Sequence, residues 1–545
     1  MPLPLPRALF PRSLPLPRAF APLRHAAFRA LWLATLASNV GLWIQNAAAG
    51  WMMTMLDPRP LMVSLVQVAA MLPVFLLALP GGAVADIIDR RRFLIGVQAW
   101  VLAVGLLLAG LTALDAVGPW GLLVFTFLIG AGSALTWPAW SATTPELVPR
   151  EDLVSAIALN GISFNLARAV GPAIGGLALG LAGPEAAFTL NALTFLVLIL
   201  ALVLWRREPG AVSRLPKEHL LSAMRAGLRF VSASPAMHAA IIRACVFFFF
   251  AASIWGLFPL LVRNRLGLGP EAFGVLLGVV GAGAVVAGFL LPALRARMDR
   301  GRMVFLSSLL SAGAMAALAV ATHWLPAVVA LLAYGGAWIA AGSTLSAAAQ
   351  LAAPAWVRAR VIAIHQLSFF GCMVLGSVLA GWLGDRIGIA PTLGALAAGA
   401  AGSAFLVRRW GLETPVPAAV PPDAVPLPRP HAPAAELSEL LAEEGGRVLE
   451  VVRYRINLGQ REEFLRVMRE VRRVRLRGGA ALWHLYEDLA APERFVEMWA
   501  VESWDEHLRE QSRLTEEDQA TLARAALLHG GEEPAEAARS LKVVP

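Results

Sequence analysis

The sequence predicts an all-α polytopic membrane protein, with twelve transmembrane helices in two six-helix halves and a small α+β ferredoxin-like domain at its C-terminal end. Three observations carry this expectation. Of 545 residues, 58% are hydrophobic and only 15% charged, with mean hydropathy +0.65. A soluble domain carries about 25% charged residues, so much of this surface faces lipid. The apolar residues collect in twelve runs, each near the roughly 20 residues that span a bilayer. After Trp410 the composition turns to Pro and Ala, and then to a charged, soluble pattern.

Residues 1–25 are rich in Pro and Arg and contain a near-repeat, Leu3-Pro4-Leu5-Pro6-Arg7 and Leu14-Pro15-Leu16-Pro17-Arg18. No apolar run with a small-residue cleavage site precedes the first span, so this segment reads as a disordered basic arm. The first half, 26–205, holds runs at 28–55, 61–85, 93–114, 119–143, 153–182 and 186–205. The polar stretch 206–237 is the central loop. The second half, 238–410, holds runs at 238–262, 271–294, 303–321, 324–349, 361–384 and 389–407. Residues 411–440 form a semi-rigid Pro/Ala-rich linker. Residues 441–545 form the soluble domain: a strand at 448–456, a helix at 460–476, strands at 481–487 and 494–501, and a helix at 503–514. A β-α-β-β-α order in so short a segment suggests a ferredoxin-like sandwich.

The net charge is +9 and the sequence pI about 10.7. The arginines lie between apolar runs rather than in one patch, which fits membrane topology and not nucleic-acid binding. Taking the central loop as cytoplasmic, the inside segments hold 22 Lys and Arg, against Arg59, Arg263, Arg265 and Arg386 outside. Both termini are therefore expected in the cytoplasm.

The loop between the second and third spans reads Gly82-Ala83-Val84-Ala85-Asp86-Ile87-Ile88-Asp89-Arg90-Arg91-Arg92. It resembles the signature loop of the major facilitator superfamily, Gly-x-x-x-Asp-x-x-Gly-Arg-Arg/Lys. Gly82 would permit close helix approach, Asp86 would cap or pair at a helix end, and Arg90 and Arg91 would hold the loop inside. Asp89 stands where the family usually has Gly. In the fifth span, Gly171-Pro172-x-x-Gly175-Gly176 resembles the motif of exporter branches. Gly171 and Gly175 offer a small face for close packing, and Pro172 frees a backbone carbonyl.

Pro145-Glu146-Leu147-Val148-Pro149-Arg150, Asn160, and Ser38-Asn39-Val40-Gly41-Leu42-Trp43-Ile44-Gln45 are similar to the enterobactin-exporter-like branch, the transmembrane secretion effectors. The resemblance covers about 25–410. It implies efflux of a small amphipathic molecule by alternating access, coupled to an ion gradient, the ion being H+.

Arg168 lies deep in the fifth span, and no Asp or Glu lies in the interior of any of the twelve runs. A charge at mid-membrane costs about 2.5–3.5 kcal/mol on insertion scales, so such residues face a cavity or partner. Arg168 is therefore expected to meet an anionic substrate group or helix carbonyls. Asn165, Asn39, Gln45 and Asn46 are candidates for the same cavity. Ser343, Gln350, His365 and Gln366 are embedded too, with helix–helix bonding an equal alternative.

Cys245 and Cys372 lie in apolar runs and give neither a disulfide framework nor a zinc pattern. His484, His507 and His529 lack metal-ligand spacing, and no nucleotide-binding P-loop occurs. No metal, cofactor or enzymatic activity is expected. Trp499, Trp504, His507, Leu508, Arg513, Thr515 and Asp518 look like those of dimeric α/β barrel domains related to antibiotic-biosynthesis monooxygenases. That resemblance implies a binding or regulatory module that self-associates. Two other readings stay open: an importer on the same fold, and a transporter whose C-terminal domain is an enzyme.

Overall fold

The computed structural model describes residues 18–205, 220–354, 357–412, 448–502, 504, 507, 510, 514, 516–531 and 535–541; the side chains of 18, 19, 78–87, 220–226, 359, 516 and 541 lie outside the description. Among the described residues, eleven helices are long and apolar enough to cross a membrane. They are α1 (Ala26–Leu56), α2 (Pro60–Ile87), α3 (Arg90–Ala113), α4 (Pro119–Leu147), α5 (Leu153–Leu204), α7 (Pro235–Leu260), α8 (Pro270–Arg295), α9 (Arg300–Val320), α10 (Trp324–Ala352), α11 (Arg358–Ile387) and α12 (Ile389–Leu406). A shorter helix, α6 (Leu220–Ala233), stands in the central loop.

The eleven elements hold twelve spans. α5 has 52 residues, about 78 Å if straight, against a hydrocarbon core of about 30 Å. It is broken at Gly183, whose φ of 81° and ψ of 173° are not helical. Gly adopts that positive φ without a Cβ clash, and Pro184 restarts the helix with its fixed φ. The break falls in the gap between the expected runs 153–182 and 186–205. The N-terminal arm departs from expectation at its end. Residues Arg18–Arg24 form a 3-10 segment. Leu23 packs against a buried cluster that includes Phe28, Leu94 and Leu159. His25 bonds Asp152 at 2.9 Å.

The helix starts reveal the relation between the halves. Asp89 is the N-cap of α3, its side chain accepting from the Arg92 amide at 3.0 Å. Asp299 caps α9 in the same way, accepting from the Arg302 amide at 2.6 Å. An Asp cap followed one and three residues later by Arg thus recurs at the third helix of each half. Asp89, out of place by the family pattern, satisfies an orphan amide of the helix's first turn.

The helical bundle, residues 1–216, 241–346 and 365–410, is one compact unit. Within it α5 packs along α1 and also along α8. The Cys245 and Cys372 thiols are neighbours across α7 and α11, a proximity their sequence separation concealed.

The second unit joins residues 411–545 with 217–240 and 347–364. Its sheet contains β1 (Val448–Arg455), β2 (Leu482–Glu487), β3 (Arg494–Val501) and β4 (Glu536–Leu541) in the order β2-β3-β1-β4, all antiparallel. Helices α13 (Arg461–Gly478) and α14 (Glu516–Leu527) complete a β-α-β-β-α-β ferredoxin-like arrangement. Of the helix expected at 503–514, the described residues 504, 507 and 510 are helical, 514 is not, and the others lie outside the description. α14 and β4 were not expected from the sequence. The core is built of Tyr454, Phe464, Phe495 and Trp499. α6 packs on α13, and Arg229 of α6 donates to Glu502 at 2.8 Å. Gly227 lies so near Arg360 that a Cβ there would meet the Arg360 Cβ at 3.1 Å.

Candidate functional site

The motif in α5 is a two-sided packing surface. On one side, a Cβ at Gly171 would lie 2.9 Å from the Val40 carbonyl oxygen, and one at Gly175 3.0 Å from the Ile44 Cα, both on α1. On the other side, a Cβ at Gly176 would lie 2.6 Å from the Gly274 Cα on α8. Pro172 is buried in the same turn, its carbonyl facing Gly274. The motif thus seats α5 of the first half against α8 of the second. Nearby helix ends are tied across the halves as well. Arg263 donates to the Thr54 carbonyl, and the Leu61 amide donates to Asp385 at 3.2 Å.

One turn before the motif lies Arg168. It is 8% exposed and donates one hydrogen bond, from Nη2 to the Asn165 Oδ1 at 3.1 Å. Asn165 in turn donates to the Gly161 carbonyl at 2.9 Å. Among the described residues the buried Arg168 Nε has no partner. A guanidinium carries five N–H donors, so most of this cation's capacity is unmet. Its electrostatic neighbour is Tyr334 of α10, whose hydroxyl donates to the Ala251 carbonyl at 2.7 Å.

A cavity of about 50 Å³ lies between α1, α2, α7 and α8, bordered by Trp43, Asn46, Gln67, Trp255, Phe258 and Phe273 among others. Of the sequence candidates, Asn46 reaches this cavity, and Arg168 and Asn165 stand together. Gln45 is fully buried and instead accepts from Asn191 of α5 at 3.2 Å, a helix–helix bond. Asn39 is half-buried on α1. Ser343 accepts from Arg295 at 2.8 Å, and Asn160 donates to Thr144 at 3.1 Å.

Sequence reasoning missed an aromatic chain through the bundle. Trp137 of α4 meets Phe164 of α5 at 5.4 Å between ring centroids, and Phe164 meets Trp43 of α1 at 6.3 Å. Trp43 meets Trp255 of α7 at 5.8 Å, which crosses between halves. Trp255 meets Trp338 of α10 at 5.8 Å, and the chain continues through Phe248 to Phe369 of α11. The signal was present in the sequence as four Trp inside apolar runs, where the polar alternatives drew attention instead.

In the signature loop, Gly82 and Asp86 fall within α2, but their side chains lie outside the description. Arg90 pairs with Glu146 of α4 at 2.6 Å and also donates to the Ala142 carbonyl at 3.1 Å. Arg91 donates to the Leu202 and Val203 carbonyls at 2.8 and 2.7 Å. Capping the exposed C-terminal carbonyls of α5 with a cation suits the helix dipole.

In the C-terminal domain the fold gathers what the sequence spaced apart. Glu450, His507 and Glu510 place ligand-type atoms within 4.8 Å of one another, all buried. Arg539 lies 3.6 Å from Glu450, and Arg475 bonds Glu497 at 3.1 Å and lies 3.8 Å from Glu510. These cations supply the countercharge. Burial opposes ionisation of Glu450, but its bond to His507 and the charges of His507, Arg539 and Arg475 hold its carboxyl below the ordinary value. For Glu510 burial wins, and its carboxyl is raised.

The family model described as transmembrane secretion effector matches residues 17–544. The chain belongs to the transmembrane secretion effector family. Among curated relatives of this family member, the enterobactin exporter EntS of Shigella boydii is 29% identical over 326 residues, which is 59% of this chain and 76% of that protein. The enterobactin exporter EntS of Escherichia coli is 28% identical over the same length. Among solved structures, a bacterial homolog of the human lysosomal transporter Spinster, inward-facing and unoccupied, aligns with TM-score 0.59 at 14% identity, covering 73% of this chain and all of that one. The nucleoside transporter NupG aligns with TM-score 0.61 at 12% identity, covering 70% of this chain and 99% of that one. These likenesses establish the transporter fold of the secretion effector.

Proposed function

We propose that this protein is a secondary active exporter that moves a small amphipathic anion, of the siderophore or natural-product kind, out of a bacterial cytoplasm by alternating access. Arg168 carries the reading: a buried cation with one side-chain partner and an unmet Nε, one turn from the contact between the halves. An uncompensated cation at this depth is costly, and an anionic group arriving from the cytoplasm would offset that cost. The relatives' names, enterobactin exporters, support both direction and substrate kind.

In this reading the Gly176–Gly274 contact, the Arg263–Thr54 bond and the Leu61–Asp385 bond form the outer gate. Rocking of one half against the other opens them while the cytoplasmic side closes. The proton gradient drives the cycle, both termini are cytoplasmic, and the C-terminal domain serves binding or regulation rather than catalysis. The test compares intracellular accumulation of candidate siderophores and drugs in cells with and without the protein. Loss of an exporter raises internal substrate and loss of an importer lowers it. Collapse of the proton gradient abolishes the difference if H+ is the coupling ion.

A further inference from the structure

The aromatic chain has a property that plain core packing does not require. Trp43, Phe164, Trp255 and Trp338 lie in the interior of α1, α5, α7 and α10 and touch one another, so they face the inside of the bundle. Each is nevertheless only half-buried. Flat aromatic faces therefore border open space there. Trp43 and Trp255 also line the small cavity between the halves.

The polar groups beside these rings are of one kind. The Trp255 indole N–H lies beside the Tyr334 hydroxyl without reaching hydrogen-bonded geometry. The Tyr334 proton is already committed to the Ala251 carbonyl. The Arg168 Nε–H is buried and unmet. The site thus presents π faces together with two unsatisfied buried donors, and such donors call for acceptor oxygens.

We propose that the substrate is an aromatic anion, whose ring stacks on Trp43 and Trp255 while its anionic oxygens accept from Arg168 and the Trp255 N–H. This rests on the exporter reading above and narrows it to a substrate class. The mechanism follows from where the ring contact lies. Trp43 belongs to one half and Trp255 to the other, so the halves cannot rock apart without separating those two rings. A ligand ring replaces the lost π contact on each side. A saturated ring of equal size and charge fills the space but does not replace it. Aromatic pairs gain energy beyond area burial, and two such pairs give about a tenfold preference, equivalent to 1.4 kcal/mol.

The test uses purified full-length protein in detergent, with 1-naphthoate, its saturated counterpart decahydro-1-naphthoate, and uncharged 1-naphthalenemethanol, each titrated by calorimetry. The expected result is about tenfold tighter binding of 1-naphthoate than of either comparator. Trp255→Leu should erase the preference over the saturated anion, Trp255→Phe should keep most of it, and Arg168→Ala should weaken both anions. Equal binding of the aromatic and saturated anions, or no binding of 1-naphthoate, overturns the proposal. So does a folded Trp255→Leu protein that keeps the preference. Transport in inverted vesicles separates the two levels. A protein that exports compounds without favouring aromatic anions sinks this proposal alone, whereas one that exports nothing sinks the exporter reading beneath it.

Discussion

Gly176 of α5 and Gly274 of α8 meet backbone to backbone: a Cβ on Gly176 would stand 2.6 Å from the Gly274 Cα, and one on Gly274 would stand 2.7 Å from the Gly176 Cα. Alanine at either position must push the helices apart, because backbone cannot rotate out of the way as a side chain can. Gly176→Ala and Gly274→Ala are expected to lower transport at least about fivefold, since overpacking typically costs about 1–3 kcal/mol. Gly161→Ala, on the same helix with nothing within 4 Å of its added Cβ, should leave transport unchanged. Rates normalised to inserted protein decide the matter, and wild-type transport by Gly176→Ala would remove this contact from the gate.

Arg168 gives the second prediction. A hydrogen bond to a charged group contributes about 1.5–3 kcal/mol. Arg168→Ala should therefore reduce export of anionic compounds on the order of 10–100-fold. Arg168→Lys should recover part of that, because an ammonium lacks the planar fork. If a folded Arg168→Ala protein exports anions at the wild-type rate, Arg168 does not bind substrate.

Topology is tested by labelling, in a variant whose Cys245 and Cys372 are serine. Gly118→Cys, at the start of α4, should react with an impermeant thiol reagent in intact cells. Arg297→Cys, exposed between α8 and α9, should react only after the membrane is opened. The reverse pattern would invert the protein.

Two glutamates of the C-terminal domain should respond to pH with opposite sign. The Glu450 carboxyl is lowered in the folded state. Its contribution to stability is present above its unfolded pKa and is lost as pH falls through the folded value. The Glu510 carboxyl is raised. Its contribution is complete below its unfolded pKa and is lost as pH rises through the folded value. Glu450→Gln should thus destabilise the domain at neutral pH by about 3–5 kcal/mol, leaving buried cations unpaired, and should matter little in acid. Glu510→Gln should be neutral or stabilising at pH 7. Hydrogen exchange of β1 and β3 amides in the full-length protein, measured from neutral pH down to well below the ordinary carboxylate range, reads both slopes. Parallel slopes would refute the assignment.

Long apolar runs and their spacing made the twelve spans legible, including the break before Pro184. Arg168 was legible too, because a charge in a run without carboxylates has no local partner. What escaped the sequence depended on contacts distant in the chain. β4, with the residues Glu536-Ala537-Ala538-Arg539-Ser540-Leu541, has little strand character of its own. It becomes a strand because β1 offers it a free edge. Gln45 looked like a cavity residue until Asn191, 146 positions away, turned out to bond it. The aromatic chain is invisible for the same reason: its members belong to six different helices. Asp89 was visible as an anomaly, and its explanation, an N-cap, is local enough that the sequence could have supplied it.

The docking of α6 on the C-terminal domain bears on how the protein is made. α6 is complete when residue 233 has been synthesised, but Glu502, the partner of its Arg229, lies some 270 residues further on. At about 5–20 residues per second the ribosome takes on the order of 15–50 s to cover that distance. For that time Arg229 lacks its Glu502 partner, while six more spans enter the membrane. A chain terminated at Trp410 would contain every span and still strand this helix. The Arg229–Glu502 pair at the central loop thus closes only after the last span has been made.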